Sequence, residues 1–586
     1  MPEDIHRSKR VPIHPFNRNF YDTDKRISSI GQGSIGGKAQ GLALLHDLIA
    51  HEFEPGTFPT VDVNVPWMTV IRTGVFDTFM KQNQLYEIAC SDASDERITY
   101  AFLHAELPFE VVGDLWAIIE QVHSPLAIRS SSLLEDSVYE PFAGIYATKM
   151  IPNDQYDARG RFTNLVEAIK YVYASTFYKA AKAYREATGY RHEDEKMGVI
   201  IQEVVGQRHG NRFYPEVSGV AKSYNFYPVG RARQEDGVVN LALGLGKTIV
   251  DGSVTWTYSP AYPHIGPPYG SIAELLKNSQ REFWAIQMGA PPAYSPQPEV
   301  EHLVLEDLAA AEKDGTLRYL CSTYDPQSDR LNIGVNMPGP RALTFAPLLD
   351  LNKVPLNDLI KALLTLCEDE MSAPVEIEFA MTFDPHRLGL LQVRPMMATS
   401  TPVEIDRSSL YSEDVLAASE HVLGNGILND IQDVIYVIPE RFDKKHTTKI
   451  AAELERINQA LIKENRPYLL IVFGRLGSSN RWLGIPVSWG QISGARVIIE
   501  AAQEGFSVEM SQGSHFFHNL TSLGVSYFSI PRSSRSQIDW AWLQQQKCVQ
   551  ETAFLRHVRL ASPLTVKMDG RRGIGVIHKN STHPFA

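Results

Sequence analysis

Hydrophobic positions fall into short apolar runs that alternate with amphipathic stretches. Val65-Pro-Trp-Met-Thr-Val-Ile71 reads as a short buried strand, and Phe76–Leu85 as the helix after it. Glu110–Val122 has helical spacing, and Leu126-Ala-Ile-Arg129 reads as a strand. Residues 160–189 carry a long helical pattern that Gly189 stops. Met197–Val205 is β-branched and strand-like, and Ser218–Tyr224 is a second strand. Residues 261–300, rich in Pro, Tyr and Gly, read as an excursion. Val375–Phe383 and Gly389–Arg394 predict a hairpin joined by Asp384-Pro-His-Arg387. Further on, Ser412–Val422 and Thr447–Glu464 have helical patterns, and Tyr468–Phe473 and Ala495–Glu500 strand patterns. This mixed order predicts α+β or α/β lobes. Residues 1–27 read as an arm, and the polar turn Thr399-Ser-Thr-Pro402 as a boundary before a smaller mixed α/β domain, 403–586.

The chain has 586 residues, enough for about three or four domains or subdomains. Hydrophobic residues make up 44% and charged residues 21%, which is globular composition. Net charge is 56 − 68 = −12, and with no strongly basic segment nucleic-acid binding is not expected. No apolar run nears the roughly 20 residues of a membrane span, and the first residues lack a signal-peptide core. Cys90, Cys321, Cys367 and Cys548 form no CxxC pair, which argues against a disulfide framework or a structural zinc site. The expectation is a cytoplasmic protein.

Two glycine-rich segments are discounted. Gly31-x-Gly33-x-x-Gly36 fits the dinucleotide fingerprint by letter, but Asp22–Ile30 before it is mostly polar where a buried strand is needed. Gly244-Leu-Gly246-Lys247-Thr248 resembles the end of a Walker A loop, but Leu241 stands where its first glycine belongs.

Four separated segments suit phosphate chemistry. Gly36-Gly37-Lys38 opens a helix, where glycines let backbone approach an anion and lysine adds a compact charge. Arg129-Ser130-Ser131-Ser132 leaves a strand as a set of phosphate donors; the plainer reading is an Arg129 pair with Glu135 or Asp136. Phe142-Ala143-Gly144 is a small-residue turn that could close over phosphates. Glu376 and Glu378 point to one face of a strand and repel unless a cation or lysine lies between them. Gln392 adds a neutral oxygen and Arg394 a phosphate clamp, together a ligand set for a Mg²⁺-nucleotide.

In order, the chain reads GGKAQGL, VPWMTV, IRSSSLLED, FAGI, IQEVV with SGVAKS, GLGK, EIEF and LQVRP. Residues 28–400 thereby resemble the nucleotide-binding domain of the phosphoenolpyruvate synthase and pyruvate phosphate dikinase family, shared with rifampin phosphotransferase. That family reads roughly GGKGANL, VPPGFV, VRSSATAED, FAGQ, VQKMV with SGVAFT, GLGE, DIEW and LQARP. The resemblance implies an ATP-grasp fold with lobes 28–195 and 196–400, and ATP and Mg²⁺ as cofactors. It implies that Lys38, Arg129 and Ser130 hold phosphates, and that Glu378 and Gln392 organise Mg²⁺. Arg394 would contact the terminal phosphates beside Glu376, Gln202, Glu203 and Val205 would line adenine, and Gly144 would belong to the closing loop. The family's GLGE glutamate is Lys247 here, and the Asp of DIE is Glu376.

Residues 403–586 are too few for both a swivelling histidine domain and a barrel of roughly 250 residues. The nearest substitute for a phosphorylated histidine is Gly513-Ser-His515, with His518 beyond it; a His pair capping a helix is the alternative. Arg475, Ser478, Ser479 and Arg481 read as an acceptor-binding loop or as a structural turn. The functional expectation is an ATP- and Mg²⁺-dependent phosphotransferase acting on a histidine, a small molecule or a protein. A non-catalytic ATP-binding regulator and one chain of a split dikinase are the alternatives, and a homodimer is left open.

Overall fold

The computed structural model describes residues 13–19, 26–51, 53, 58–132, 135, 144–188, 191–226, 228, 231–267, 271–289, 298–396, 403, 405–478, 482–503, 516, 520, 525–531, 538–570 and 572–579. The chain divides into two compact units. The first holds Met1–Ser223, Asp236–Ile249 and Val254–Met396; the second holds Tyr224–Glu235, Val250–Ser253 and Met397–Ala586. Both are mixed α/β, and no closed barrel occurs among the described residues.

Two six-stranded sheets position the site of the first unit. One contains, side by side, the strands Ile27–Ile30, Met68–Ile71, Met197–Glu203 and Leu126–Ser132. Ile27–Ile30 corrects the expectation of a polar approach to the glycine turn. It is buried throughout because its two serines are satisfied internally. Ser28 and Thr69 share a hydrogen bond of 2.7 Å between hydroxyls, and Ser29 accepts one from Arg72 Nε at 3.0 Å. A strand does precede the glycines, yet the sheet is not dinucleotide-type. Ile27–Ile30 runs parallel to Met68–Ile71, which is antiparallel to Met197–Glu203, itself antiparallel to Leu126–Ser132.

The other sheet contains Val238–Ala242, Val217–Lys222 and the hairpin Val375–Phe383/His386–Pro395. The hairpin connection is Asp384-Pro385 alone, tighter than the four residues expected, because His386 already pairs with Phe383. A bulge at Glu378/Phe379 increases the local twist beside the site. The helix Gly37–His51 contributes Ala39, Leu42 and Leu45 to the core. Gly41 lets this helix lie against the hairpin, since a Cβ there would stand 2.8 Å from the Val393 carbonyl oxygen.

Within 261–300 the expected excursion includes the helix Ile272–Asn278, capped by Ser271, and the strand Glu282–Gln287 in a four-stranded sheet. The Walker-like glycines follow Val238–Ala242 and lead into a helix of only four residues, Lys247–Val250. Lys247 Nζ lies 5.9 Å from the centre of the Trp284 ring.

The second unit is built on a nine-stranded sheet in which Gly426–Val437, Tyr468–Phe473, Ala495–Ala501 and Ser526–Ile530 run parallel. The helix Thr447–Lys463 connects the first two. The helix expected over Ser412–Val422 is instead the strand Val415–Ser419, because pairing with Ile574–His578 overrides its helical spacing. Asp433 is buried in this sheet and accepts from His557 Nε2 at 2.7 Å, Arg559 Nε at 2.8 Å and Arg466 Nε at 2.7 Å. Burial alone would raise its pKa, but these hydrogen bonds outweigh it and hold the carboxyl at about 2.

Candidate functional site

Lys38 sits in the first turn of its helix, where positive-φ Gly36 makes the entry. A Cβ at Gly36 would overlap the Ser131 carbonyl oxygen, so only glycine fits this approach. Ser131 Oγ accepts from the Ala39 N–H at 3.0 Å and donates to the Ile35 carbonyl at 2.7 Å. The helix start is thereby fixed to the strand that ends in Arg129 and the serines.

Arg129 does not pair with Glu135, and Asp136 falls outside the described residues. Glu135 instead accepts from Lys38 Nζ at 2.8 Å, Ser130 Oγ at 2.8 Å and the Ser132 N–H at 3.1 Å. Nearby, burial pushes the Glu195 carboxyl up to about 7, and the Glu135 charge adds to the rise. Arg129 reaches the other sheet. Its guanidinium donates to the Leu391 carbonyl at 2.6 Å, Gln392 Oε1 at 3.2 Å and Gln202 Oε1 at 3.3 Å, and lies 3.5 Å from Glu378 Oε2. Glu378 and Gln392 are directly opposite across the hairpin.

Glu376 and Arg394 face each other one step along. Arg394 Nε donates to Glu376 Oε1 at 2.7 Å, and both side chains are buried. The lysine demanded by two carboxylates on one face is Lys222, which the motif reading passed over. Its Nζ lies 2.7 Å from Glu376 Oε2, with both side chains 1% exposed. Burial lowers the Lys222 pKa, and the Glu376 charge opposes that. Its position inside an apolar strand hid it, although alternation places it on the face that Glu376 meets.

Gln202 is buried beside Arg129, and the Glu203 carboxylate pairs with Arg387 at 3.1 Å. The Glu203 and Val204 N–H groups donate to the Trp67 and Pro125 carbonyls. Val205 is buried just past the strand end. Gly144 lies in an exposed turn at φ +67°, whereas Phe142 and Ala143 fall outside the described residues.

In the second unit, Arg475 donates to the Gly252 carbonyl at 3.0 Å, and Ser478 is buried. Ser479, Arg481, His515 and His518 fall outside the described residues. Sequence reasoning missed Glu500, which took the form of an ordinary strand residue. Its Oε1 accepts from the Leu476 N–H at 2.7 Å, and burial pushes its pKa up to about 7.

Residues 32–414 match the family described as pyruvate phosphate dikinase, AMP/ATP-binding domain. The chain belongs to that family. Its relatives include a phosphoenolpyruvate synthase of Escherichia coli, 23% identical over 402 residues, which covers 64% of this chain and 43% of the relative. A rifampicin phosphotransferase of Bacillus cereus is 26% identical over 226 residues, 38% of this chain and 24% of the relative. A probable phosphoenolpyruvate synthase of Archaeoglobus fulgidus is 31% identical over 132 residues, 22% and 15% respectively. Each match thus spans less than half of the relative's length. No described helix is long and apolar enough to cross a membrane.

Proposed function

We propose that this member of the dikinase AMP/ATP-binding family is an ATP- and Mg²⁺-dependent phosphotransferase with an ATP-grasp fold, the strand Met197–Glu203 belonging with the first lobe rather than the second. The observation that carries the reading is the convergence of Arg129, from one sheet, on Glu378 and Gln392 of the other. Lys38 is fixed to the same strand as Arg129 through Glu135 and Ser131. Holding a nucleotide alone does not require carboxylate and amide oxygens beside a phosphate-type arginine; phosphoryl transfer with a metal does.

The donor set fits Mg²⁺. Glu378 and Gln392 supply two hard oxygens on one face. Phosphate and water would complete the shell, as this ion prefers. When bound, Mg²⁺ would neutralise phosphate charge as the bridging P–O bond breaks. The chain's own groups do the positioning: Arg129 and Lys38 hold phosphate oxygens, Arg394 keeps Glu376 in place, and Gln202 supports Arg129. The turn at Gly144 would exclude water.

The acceptor in this reading is His515, or a small molecule beside Arg475, Ser478, Ser479 and Arg481. The phosphorus forms a bond to the acceptor atom as its bond to the leaving phosphate oxygen breaks. The test is incubation with ATP labelled at the β or γ phosphorus, followed by peptide mapping. Acid-labile, base-stable label on His515 supports a histidine relay, and label in a small product supports direct transfer. Tight ATP binding with no transfer to protein, water or added acceptor refutes the proposal.

A further inference from the structure

We propose that nucleotide binding at Lys38 takes up a proton from solvent, and that Glu195, next to the Lys38–Glu135 pair, is the positioning residue that carries it. The inference rests on the nucleotide-site reading above and deepens it by making the affinity of that site depend on pH. Strand register places the group. Met197 pairs with Ser132, and Glu195 stands two residues before Met197 in extended conformation. The Ser132 N–H holds one oxygen of Glu135, and Lys38 Nζ holds the other. Glu195 is 2% exposed, and neither of its oxygens has a hydrogen-bond partner among the described residues. An anion in such a place is costly, whereas the neutral acid is not.

The groups that act on Glu195 are Arg185, from the helix Lys179–Thr188, Glu135 and Tyr146. Arg185 is fully buried and donates to the Thr176 carbonyl at 2.6 Å, to Tyr146 Oη at 3.4 Å and to His192 Nδ1 at 3.4 Å. Burial holds the Tyr146 phenol protonated, so it takes up nothing. With both carboxylates ionised, Lys38 and Arg185 balance Glu135 and Glu195. A nucleotide phosphate adds negative charge to this closed set and draws Lys38 away from Glu135. Both changes disfavour the second carboxylate, and strongly so where water is excluded. The proton goes to Glu195, because Ser130 Oγ and the Ser132 N–H favour the ionised form of Glu135. Glu195, raised by burial to about 7 in the free protein, is raised further in the complex. Affinity is therefore full below 7 and falls as pH rises from 7 towards the value in the complex.

The test counts protons. The full chain is titrated calorimetrically, at fixed Mg²⁺, with an ATP analogue whose β and γ phosphates are joined through nitrogen. Buffers of unequal ionisation enthalpy give the number of protons taken up on binding. The same count in Glu195→Gln, subtracted from that of the unaltered chain, removes protons that belong to the nucleotide. The excess should be clear at about pH 8 and absent at about pH 5, and the unaltered chain alone should lose affinity above pH 7, by at most about tenfold per pH unit. Infrared difference spectra of the unaltered chain at about pH 8 should gain a protonated carboxylic acid band on binding, a readout that needs no variant to fold. Analogue binding with equal proton counts in the two chains, or with no such band, overturns the inference while leaving the phosphotransferase reading intact. No analogue binding at all overturns that reading, and this inference with it.

Discussion

Glu135 offers a direct test of how the Lys38 end of the site is held. The pair is buried on both sides, with 9% of the Lys38 side chain and 3% of the Glu135 side chain exposed. Glu135→Ala leaves a buried ammonium unpaired and releases Ser130 Oγ and the Ser132 N–H, so its cost falls in the range of about 3–5 kcal/mol for breaking a buried pair. Glu135→Gln keeps the shape but loses the charge, and should cost about 1–3 kcal/mol. The chain has two units and so no single unfolding equilibrium describes it. Amide exchange over Gly37–His51 and Leu126–Ser132 reads the local opening free energy instead. An ATP analogue gives Lys38 a new anionic partner, so it should restore protection more in Glu135→Gln than in the unaltered chain. The reasoning fails if Glu135→Ala exchanges like the unaltered protein, or if the analogue protects Glu135→Gln less.

Arg129→Ala or Glu378→Ala should abolish transfer from labelled ATP while leaving circular dichroism unchanged, since both side chains meet at the site rather than in the apolar core. Asp433, held at about 2 against an ordinary 3.8, stabilises the second unit above pH 3.8, and that contribution disappears as pH falls through about 2. Its size is about 1–2 kcal/mol once screening of the partly exposed Arg466 and Arg559 is allowed for, and Asp433→Asn should flatten acid unfolding over that window. Glu500 works in the opposite direction: raised by burial to about 7, it weakens the fold as pH rises from 4.5 through 7. Glu500→Gln should therefore raise the denaturation midpoint of the second unit at pH 8 and leave it unchanged at pH 4; equal shifts at both would refute this.

Long helices and uniformly apolar strands were legible from spacing alone, as in Thr447–Lys463 and Tyr468–Phe473. Ile27–Ile30 was not, because its burial depends on hydroxyl partners from Thr69 and Arg72 that sequence periodicity does not register. Val415–Ser419 was misread because its pairing strand lies about 160 residues away, and local spacing carries no trace of it. Within the site, residue types gave good guidance where adjacent strands set the geometry: Glu378 and Gln392 meet through hairpin register. They gave poor guidance where a partner comes from a distant segment. Glu135 turned to Lys38 rather than to Arg129, and Lys222 escaped notice because its partner lies more than 150 positions further on.

The packing of Gly41 on the Val393 main chain constrains how the first unit can breathe. One end of that helix is stitched to the arginine strand through Ser131, its flank is wedged on the hairpin, and Arg129 itself bolts to the Leu391 carbonyl. With three such contacts at one seam, the helix, the arginine strand and the hairpin are held together, and a methyl group at position 41 would pry that seam apart without touching Arg129, Glu378 or Gln392.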